Sequence, residues 1–169
     1  MDTRDRRGCA LVRAAVPEDL EMIAWIEAVC FPPEEAAGMD ELYRRFRAFP
    51  ENFFVADVNG KTVGFINGCT TDQPVLKDEL YHDTGLHKKE GGYQTVFGLD
   101  VLPEYQRQGI AAQLIHHLIE VSRMRQKTGI ILTCKDRLVP YYGQFGFQWK
   151  GISASVHGGA KWNDMLLLL

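Results

Sequence analysis

The chain has 169 residues, a formal net charge of -3, no large cluster of lysine and arginine, and four cysteines that form no C-x-x-C pair. These features fit a single domain over residues 1–169 and argue against a nucleic-acid partner, a disulfide framework and a metal site. No apolar stretch approaches the ~20 residues that cross a bilayer, and the start lacks the apolar core of a signal peptide, so we expect a cytoplasmic protein with no membrane partner.

The first part of the chain predicts a strand, two helices and a hairpin. A short strand over 10–15 precedes a helix that begins at Pro17 and ends before Pro32. A second helix is predicted over 40–49, where apolar residues recur at helical spacing. Two alternating runs then flank the dipeptide Asn59-Gly60, which fits a type I′ turn and so predicts a β-hairpin.

The second part of the chain predicts a strand-helix-strand unit after a long loop. Residues 70–92 are polar and rich in glycine, with at most one helical turn, and a loop of this length is usually functional or mobile. The elements predicted after it are a strand over 93–101, a helix over 109–127, a strand over 129–134, a short helix over 139–145 and strands over 147–155 and 161–169. This order predicts a mixed α/β (α+β) fold around a central sheet.

The stretch PEYQRQGIAAQLI, residues 103–115, places a glycine at the start of the predicted long helix. Free N–H groups and the helix dipole make such a start a binding site for phosphate. Gly109 would let the backbone approach the ligand closely, and Arg107 would add a charge-assisted contact. The predicted ligand is a phosphate ester, although a glycine at this turn is also explained by packing alone.

Four segments of the chain resemble one family in their order and spacing. The run Gln106–Ala111, QRQGIA, resembles the [Q/R]-x-x-G-x-[G/A] acetyl-CoA motif of the GNAT superfamily of N-acetyltransferases. The segments TVFGLDVLPEY, ILTC and LVPYYGQFGF resemble the same family, particularly its arylalkylamine (serotonin) N-acetyltransferase branch and bacterial relatives. The resemblance implies a central, mostly antiparallel sheet of about seven strands flanked by about four helices, with acetyl-CoA as cosubstrate.

The resemblance also assigns the residues that would hold acetyl-CoA. In the family, backbone N–H groups of the motif bind the CoA pyrophosphate, and the strand before the motif pairs with the pantetheine arm. In this sequence the first role falls on Arg107, Gln108, Gly109, Ile110, Ala111 and Ala112, and the second on Leu99, Asp100 and Val101.

The same resemblance proposes a general acid but leaves the general base open. Tyr142 occupies the place of the tyrosine that protonates the departing CoA thiolate, while its neighbour Tyr141 is expected to pack. The arylalkylamine enzymes carry two histidines on the strand before the motif, and those positions here are Thr95 and Phe97. The proton relay of that branch is therefore absent.

Two acidic residues in the loop CFPPEEAAG are the first candidates to replace the missing base. Glu34 is the candidate catalytic carboxylate and Glu35 a candidate acceptor-binding residue, although acidic residues also favour a first helical turn without any chemistry. His157 is a further candidate, with a solvated turn histidine as the more frequent case. The remaining expectations are an acceptor pocket that includes Phe31, Phe97 and Thr133, a buried unreactive thiol at Cys134, and surface positions for His116 and His117.

These residues predict an enzyme that acetylates the primary amine of a small molecule with acetyl-CoA. The alternative is a module of the same fold that binds acyl-CoA without turning it over, as a sensor or structural ligand. Arylalkylamines, polyamines, amino sugars and peptide amines all remain possible acceptors. We expect a monomer or a homodimer, since an exposed final strand can pair with a second copy.

Overall fold

The computed structural model describes residues 9–169 and confirms the predicted mixed α/β fold. Within these residues there are nine strands and five α-helices. The strands are β1 Leu11–Ala14, β2 Phe53–Val58, β3 Lys61–Asn67, β4 Thr70–Thr71, β5 Tyr93–Val96, β6 Gly98–Val101, β7 Gly129–Cys134, β8 Gln148–Ile152 and β9 Asn163–Leu168. The helices are α1 Leu20–Cys30, α2 Met39–Ala48, α3 Asp78–His82, α4 Ile110–Met124 and α5 Val139–Gly143.

Two sheets share the strand that the sequence predicts over 93–101. One sheet has the antiparallel order β1-β2-β3-β6, and the other has the order β4-β5-β7-β9-β8, in which only β5 and β7 run parallel. The predicted strand is interrupted at Phe97, which separates β5 from β6. The Phe97 N–H donates to the Asn67 carbonyl at 2.7 Å, and the Thr95 N–H donates to the Cys69 carbonyl at 2.8 Å. These two bonds join the sheets into one layer.

The interruption at Phe97 creates an opening between β6 and β7. The parallel register of β5 and β7 ends with the pair Val96 and Leu132. After this point β6 pairs with β3, and it has no ladder with β7 in the described part of the chain. The edge of β6 that faces β7 therefore has no strand partner among the described residues, and its Val101 carbonyl accepts from Gln106 Nε2 at 2.9 Å and from Cys30 Sγ at 3.4 Å.

Helices α1 and α4 cover opposite faces of this layer. A β-carbon on Gly64 would stand 3.4 Å from Leu114 of α4, and one on Gly98 would stand 3.4 Å from Glu27 of α1. Gly98 and its register partner Asn67 point to the same face of the sheet. Asn67 is three residues after Gly64 on β3, so Gly64 and Gly98 point to opposite faces. The apolar stripe predicted for the first helix is buried at Leu20, Ile23 and Ile26.

The predicted hairpin is present with the expected turn. Asn59 has φ of 51° and Gly60 has φ of 80°, the two positive values that a type I′ turn requires. No α-helix among residues 9–169 is both long enough and apolar enough to cross a bilayer.

Candidate active site

The start of α4 offers free backbone donors to a ligand. Gly109 is the N-cap residue with φ of 83°, and no side chain caps the helix. Arg107 also has a positive φ, 61°, so two left-handed residues turn the backbone just before the helix. Such a turn gathers N–H groups into a concave surface that binds anions. A β-carbon on Gly109 would meet no atom within 4 Å, which leaves this surface open.

A groove of about 620 Å³ runs from the start of α4 along β6 to α5. Gln108 is the one predicted acetyl-CoA residue that does not line the groove, and its side chain donates to the Glu104 carbonyl at 3.2 Å. The groove is lined by Cys30, Phe31, Leu99, Asp100, Val101, Tyr105, Gln106, Arg107, Gly109, Ile110, Ala111, Ala112, Arg137, Leu138, Tyr141 and Tyr142. The structure thus brings together eight of the nine residues predicted to hold acetyl-CoA.

A smaller chamber of about 100 Å³ adjoins the groove. Four residues line both spaces, namely Phe31, Leu99, Leu138 and Tyr142, and they mark the junction between them. The other residues around the chamber are Glu35, Ala37, Glu41, Arg45, Tyr81, Val96, Phe97, Leu132, Thr133, Cys134, His157 and Trp162. All the residues predicted for an acceptor pocket, Phe31, Glu35, Phe97 and Thr133, therefore lie in one space.

Tyr142 lies at the junction and Tyr141 does not. Tyr142 is 8% exposed, and burial together with the nearby Cys134 thiol raises the pKa of its phenol well above the ordinary value. The phenol is therefore protonated at neutral pH and can act as a proton donor. Tyr141 is half-buried, packs edge-on against Phe145 and reaches only the groove.

Of the two predicted loop carboxylates, the structure brings Glu35 to the chamber and leaves Glu34 exposed outside it. The Glu35 side chain is 4% exposed, and its Oε1 lies 2.8 Å from Lys135 Nζ. Its Oε2 is buried without a hydrogen-bond partner among the described residues. The turn at Gly158 packs directly on the Glu35 side chain, and His157 Nε2 lies 3.0 Å from the Glu35 carbonyl oxygen. Glu35 is thus held in place with one free acceptor atom.

A buried arginine supports the aromatic wall of the chamber. Arg45 Nη2 donates to Glu41 Oε1 and to the Tyr81 carbonyl, both at 2.9 Å, and its guanidinium lies 4.8 Å from the centre of the Phe97 ring. The Tyr81 phenol lies 3.3 Å from the Thr133 hydroxyl, and burial raises the pKa of Tyr81 to about 12. The two charges of Glu41 and Arg45 neutralise each other, so this wall is aromatic and uncharged overall.

Sequence reasoning missed most of this wall. Arg45 lies three residues after the buried Leu42 and four before the buried Phe49, so it is on the apolar face of the helix. A charged residue on that face is the sequence signal that could have identified Arg45. No periodic pattern marks Tyr81, which lies on the short helix α3 within the segment that the sequence predicts as a long loop. The expectation of a solvated turn histidine at His157 is wrong, because this ring is half-buried and stacks on Tyr81 at 5.4 Å with planes 7° apart.

Cys134 and His116 lie as the sequence predicts, and His117 does not. Burial raises the pKa of Cys134 to about 11, so its thiol is not ionised at neutral pH. His116 is exposed on α4. His117 is partly buried against Phe54, with ring centres 4.7 Å apart, and burial lowers its pKa.

A carboxyl pair lies behind the edge of β6. Glu27 of α1 and Asp100 of β6 are 5% and 6% exposed, and each carboxyl group influences the pKa of the other. Burial raises the pKa of Glu27 to about 7, and burial together with Glu27 raises the pKa of Asp100 well above its usual range. Two carboxylates in contact cannot both ionise, so the pair shares a proton at neutral pH.

The sequence profile of the acetyltransferase (GNAT) family matches residues 20–147. The chain belongs to this family. Membership indicates an acyl-CoA-dependent acyltransferase and confirms the resemblance seen in the sequence. Serotonin N-acetyltransferase of Mesocricetus auratus is 28% identical over 160 residues, which cover 90% of this chain and 74% of that protein.

Solved structures confirm the GNAT fold. The GphF GNAT-like decarboxylase in complex with isobutyryl-CoA has a TM-score of 0.82 and 20% identity, covering 94% of this chain and 98% of that one. A GNAT family acetyltransferase from Brucella melitensis in complex with acetyl-CoA has a TM-score of 0.61 and 20% identity, covering 96% of this chain and 89% of that one. These identities show a shared fold, and both solved complexes hold a CoA thioester.

Proposed function

We propose that this protein transfers the acetyl group of acetyl-CoA directly to the primary amine of a small molecule. The observation that carries the proposal is the position of Tyr142, where the groove meets the chamber. An acid at this junction touches both a donor in the groove and an acceptor in the chamber.

The groove fits a long phosphorylated cosubstrate. Its far end is the uncapped start of α4, where free N–H groups and Arg107 would hold the pyrophosphate. The edge of β6 that lacks a strand partner would pair with the amides of the pantetheine arm through Leu99 and the Val101 N–H, since the Val101 carbonyl already accepts from Gln106. Acetyl-CoA supplies an acyl group that is already activated as a thioester, so no covalent enzyme intermediate is required.

Two side chains then carry the proton transfers. When the amine nitrogen bonds to the acyl carbon and the carbon–sulfur bond breaks, the Tyr142 phenol donates its proton to the departing thiolate. The amine must lose a proton, and Glu35 Oε2 is the free carboxylate oxygen in the chamber that can hold the ammonium or accept this proton through a water. Glu34 was the catalytic candidate from the sequence, but its exposed position outside the chamber favours Glu35.

A binding module without turnover is the second candidate function. The uncapped helix and the groove support both candidates equally, because both require acyl-CoA. The chamber beside the groove favours the enzyme, since it offers a buried acid and a free carboxylate oxygen that a binder does not require.

A thiol-release assay with acetyl-CoA tests the proposal. The panel contains arylalkylamines, polyamines, amino sugars and peptide amines, and an accepted amine is then used with Tyr142→Phe. We expect kcat to fall about 10- to 100-fold, toward the lower end of the effect of a general acid because CoA thiolate is already a good leaving group. Acetyl-CoA affinity should persist, and Tyr141→Phe is the matched control that should keep most of its activity.

The outcomes separate the two candidate functions. Tight binding of acetyl-CoA with no thiol release from any amine would support the binding module. Parental turnover of Tyr142→Phe across the pH range would show that another group protonates the thiolate. Loss of activity in Tyr141→Phe alone would exchange the roles of the two tyrosines.

A further inference from the structure

The ring of His157 has a fixed position in the wall of the chamber. It stacks on the Tyr81 ring at 5.4 Å, and the centre of the Trp162 ring lies 6.1 Å away. The Trp162 indole N–H donates to the His157 carbonyl at 2.9 Å, so the backbone of His157 is held as well as its ring. His157 therefore occupies one defined place beside the space proposed for the acceptor.

A hydrogen bond determines which nitrogen of this imidazole carries the proton. Nε2 lies 3.0 Å from the Glu35 carbonyl oxygen, and a carbonyl oxygen can only accept. Nε2 is therefore the protonated nitrogen of the neutral ring, and the basic lone pair is on Nδ1. Nδ1 forms no hydrogen bond with another described residue. His157 thus brings an unoccupied proton acceptor to the chamber.

His157 also has a route to solvent that the Glu35 carboxylate lacks. The Glu35 side chain is 4% exposed, and its Oε1 is already paired with Lys135 Nζ at 2.8 Å. His157 is only half-buried and precedes the exposed Gly158, so a proton on its ring can pass to water. Imidazole is the side chain that accepts and releases a proton near neutral pH. Glu35 is therefore suited to hold an ammonium, and His157 is suited to remove a proton from it.

We propose that His157 is the general base, which takes a proton from the acceptor amine at Nδ1 while Glu35 Oε2 holds the ammonium. The inference rests on the proposed function, because it requires the amine to lie in the chamber. An ammonium carries three protons on nitrogen, and the amide product carries one. The first proton passes to His157 and then to solvent, which frees the nitrogen lone pair to attack the acyl carbon. The second leaves after the carbon–nitrogen bond forms and replaces the proton that Tyr142 gives to the thiolate.

The thiol-release assay with an accepted amine tests the proposal. His157→Gln keeps an amide N–H that can donate to the Glu35 carbonyl, but it has no basic nitrogen. A general base contributes about 10²- to 10⁴-fold to the rate, so we expect kcat to fall about 100-fold or more while acetyl-CoA affinity persists. His82→Gln is the matched control and should keep the parental kcat, since the His82 ring lies 6.3 Å from His157 and lines neither the chamber nor the groove.

Chemical rescue separates a base from a residue that only fills space. His157→Ala leaves room for a five-membered ring, and added imidazole should raise its kcat about tenfold or more by supplying the missing base. Pyrazole has the same size and is a far weaker base, so it should give no rescue. Equal effects of the two rings, including no effect of either, would overturn the proposal.

The outcomes distinguish this proposal from the proposed function. If the parent releases no thiol with any amine, the proposed function fails. If the parent is active and His157→Gln keeps the parental kcat, the proposed function stands and His157 is not the base. Circular dichroism shows which variants fold, and if only one His157 variant folds, that variant decides. If neither folds, His157 is a structural residue and the proposal is overturned.

Discussion

The carboxyl pair of Glu27 and Asp100 predicts that the protein loses stability as pH rises toward neutrality. In the unfolded chain Glu27 titrates near 4.5, and burial raises its pKa in the folded protein to about 7. Between these values the folded state binds more protons than the unfolded state, so the free energy of unfolding falls with rising pH. One pKa unit corresponds to about 1.4 kcal/mol, which gives a loss of about 3 kcal/mol across this window.

Glu27→Gln removes the titration and keeps the shape of the side chain. The amide cannot ionise and can donate a hydrogen bond to Asp100, so it mimics the protonated acid. We expect Glu27→Gln to be more stable than the parent by about 1–3 kcal/mol at pH 8, with the difference vanishing near pH 4.5. Urea unfolding of both proteins between pH 4.5 and pH 8 measures the difference in their free energies of unfolding. Other titrating groups contribute equally to both proteins, so their effects cancel.

Glu21→Gln is the matched control, because Glu21 lies on the exposed face of the same helix. Its stability relative to the parent should not depend on pH. The reasoning is refuted if the difference between Glu27→Gln and the parent is the same at pH 4.5 and pH 8, or if the variant is less stable at pH 8. Either result would mean that burial does not raise the pKa of Glu27 in the folded protein.

Further predictions concern the groove, the chamber and the sheet. Gly109→Val should crowd the open start of α4 and weaken acetyl-CoA binding by about 2 kcal/mol or more in calorimetry, and unchanged affinity in the folded variant would place the site elsewhere. Glu35→Gln should leave acetyl-CoA affinity alone and raise the amine KM or shift the pH–rate profile, whereas Glu34→Gln should change neither; equal kinetics in both variants would remove Glu35 from the mechanism. Gly68→Ala would place a β-carbon 1.9 Å from a neighbouring carbonyl oxygen and should destabilise the protein by about 3 kcal/mol in thermal unfolding, while Gly143→Ala, with no atom within 4 Å, should not.

The donor half of the site could be predicted from sequence because it depends on the backbone of one continuous stretch. A strand, a turn with Gly109 and a helix start follow one another between residues 93 and 124, so local patterns predicted a phosphate-binding helix start, and the family resemblance predicted that the ligand is acetyl-CoA. The interruption at Phe97 lies directly before Gly98, and a glycine inside a strand pattern is the one local signal for such an irregularity.

The acceptor half could be predicted only in part because distant segments assemble it. Phe31 and Glu35 come from the loop before α2, Tyr81 from α3, and His157 and Trp162 from the loop before β9. Each is an ordinary loop or element-end residue in the sequence, and only the fold places them around one space. Glu35 differs from its neighbour Glu34 in being buried, and no local sequence pattern predicts that difference.

The positions that carry histidines in the arylalkylamine branch show why the base is expected on a loop. Thr95 is fully buried and its hydroxyl donates to the Cys69 carbonyl at 3.1 Å, so it stabilises the junction of the two sheets and has no access to the chamber. Phe97 packs under the Arg45 guanidinium and forms the wall of the chamber. Neither side chain can accept a proton at neutral pH. The strand therefore contributes backbone and packing. The base that accepts the proton of the amine is expected on the loops around the chamber, where Glu35 has a free carboxylate oxygen.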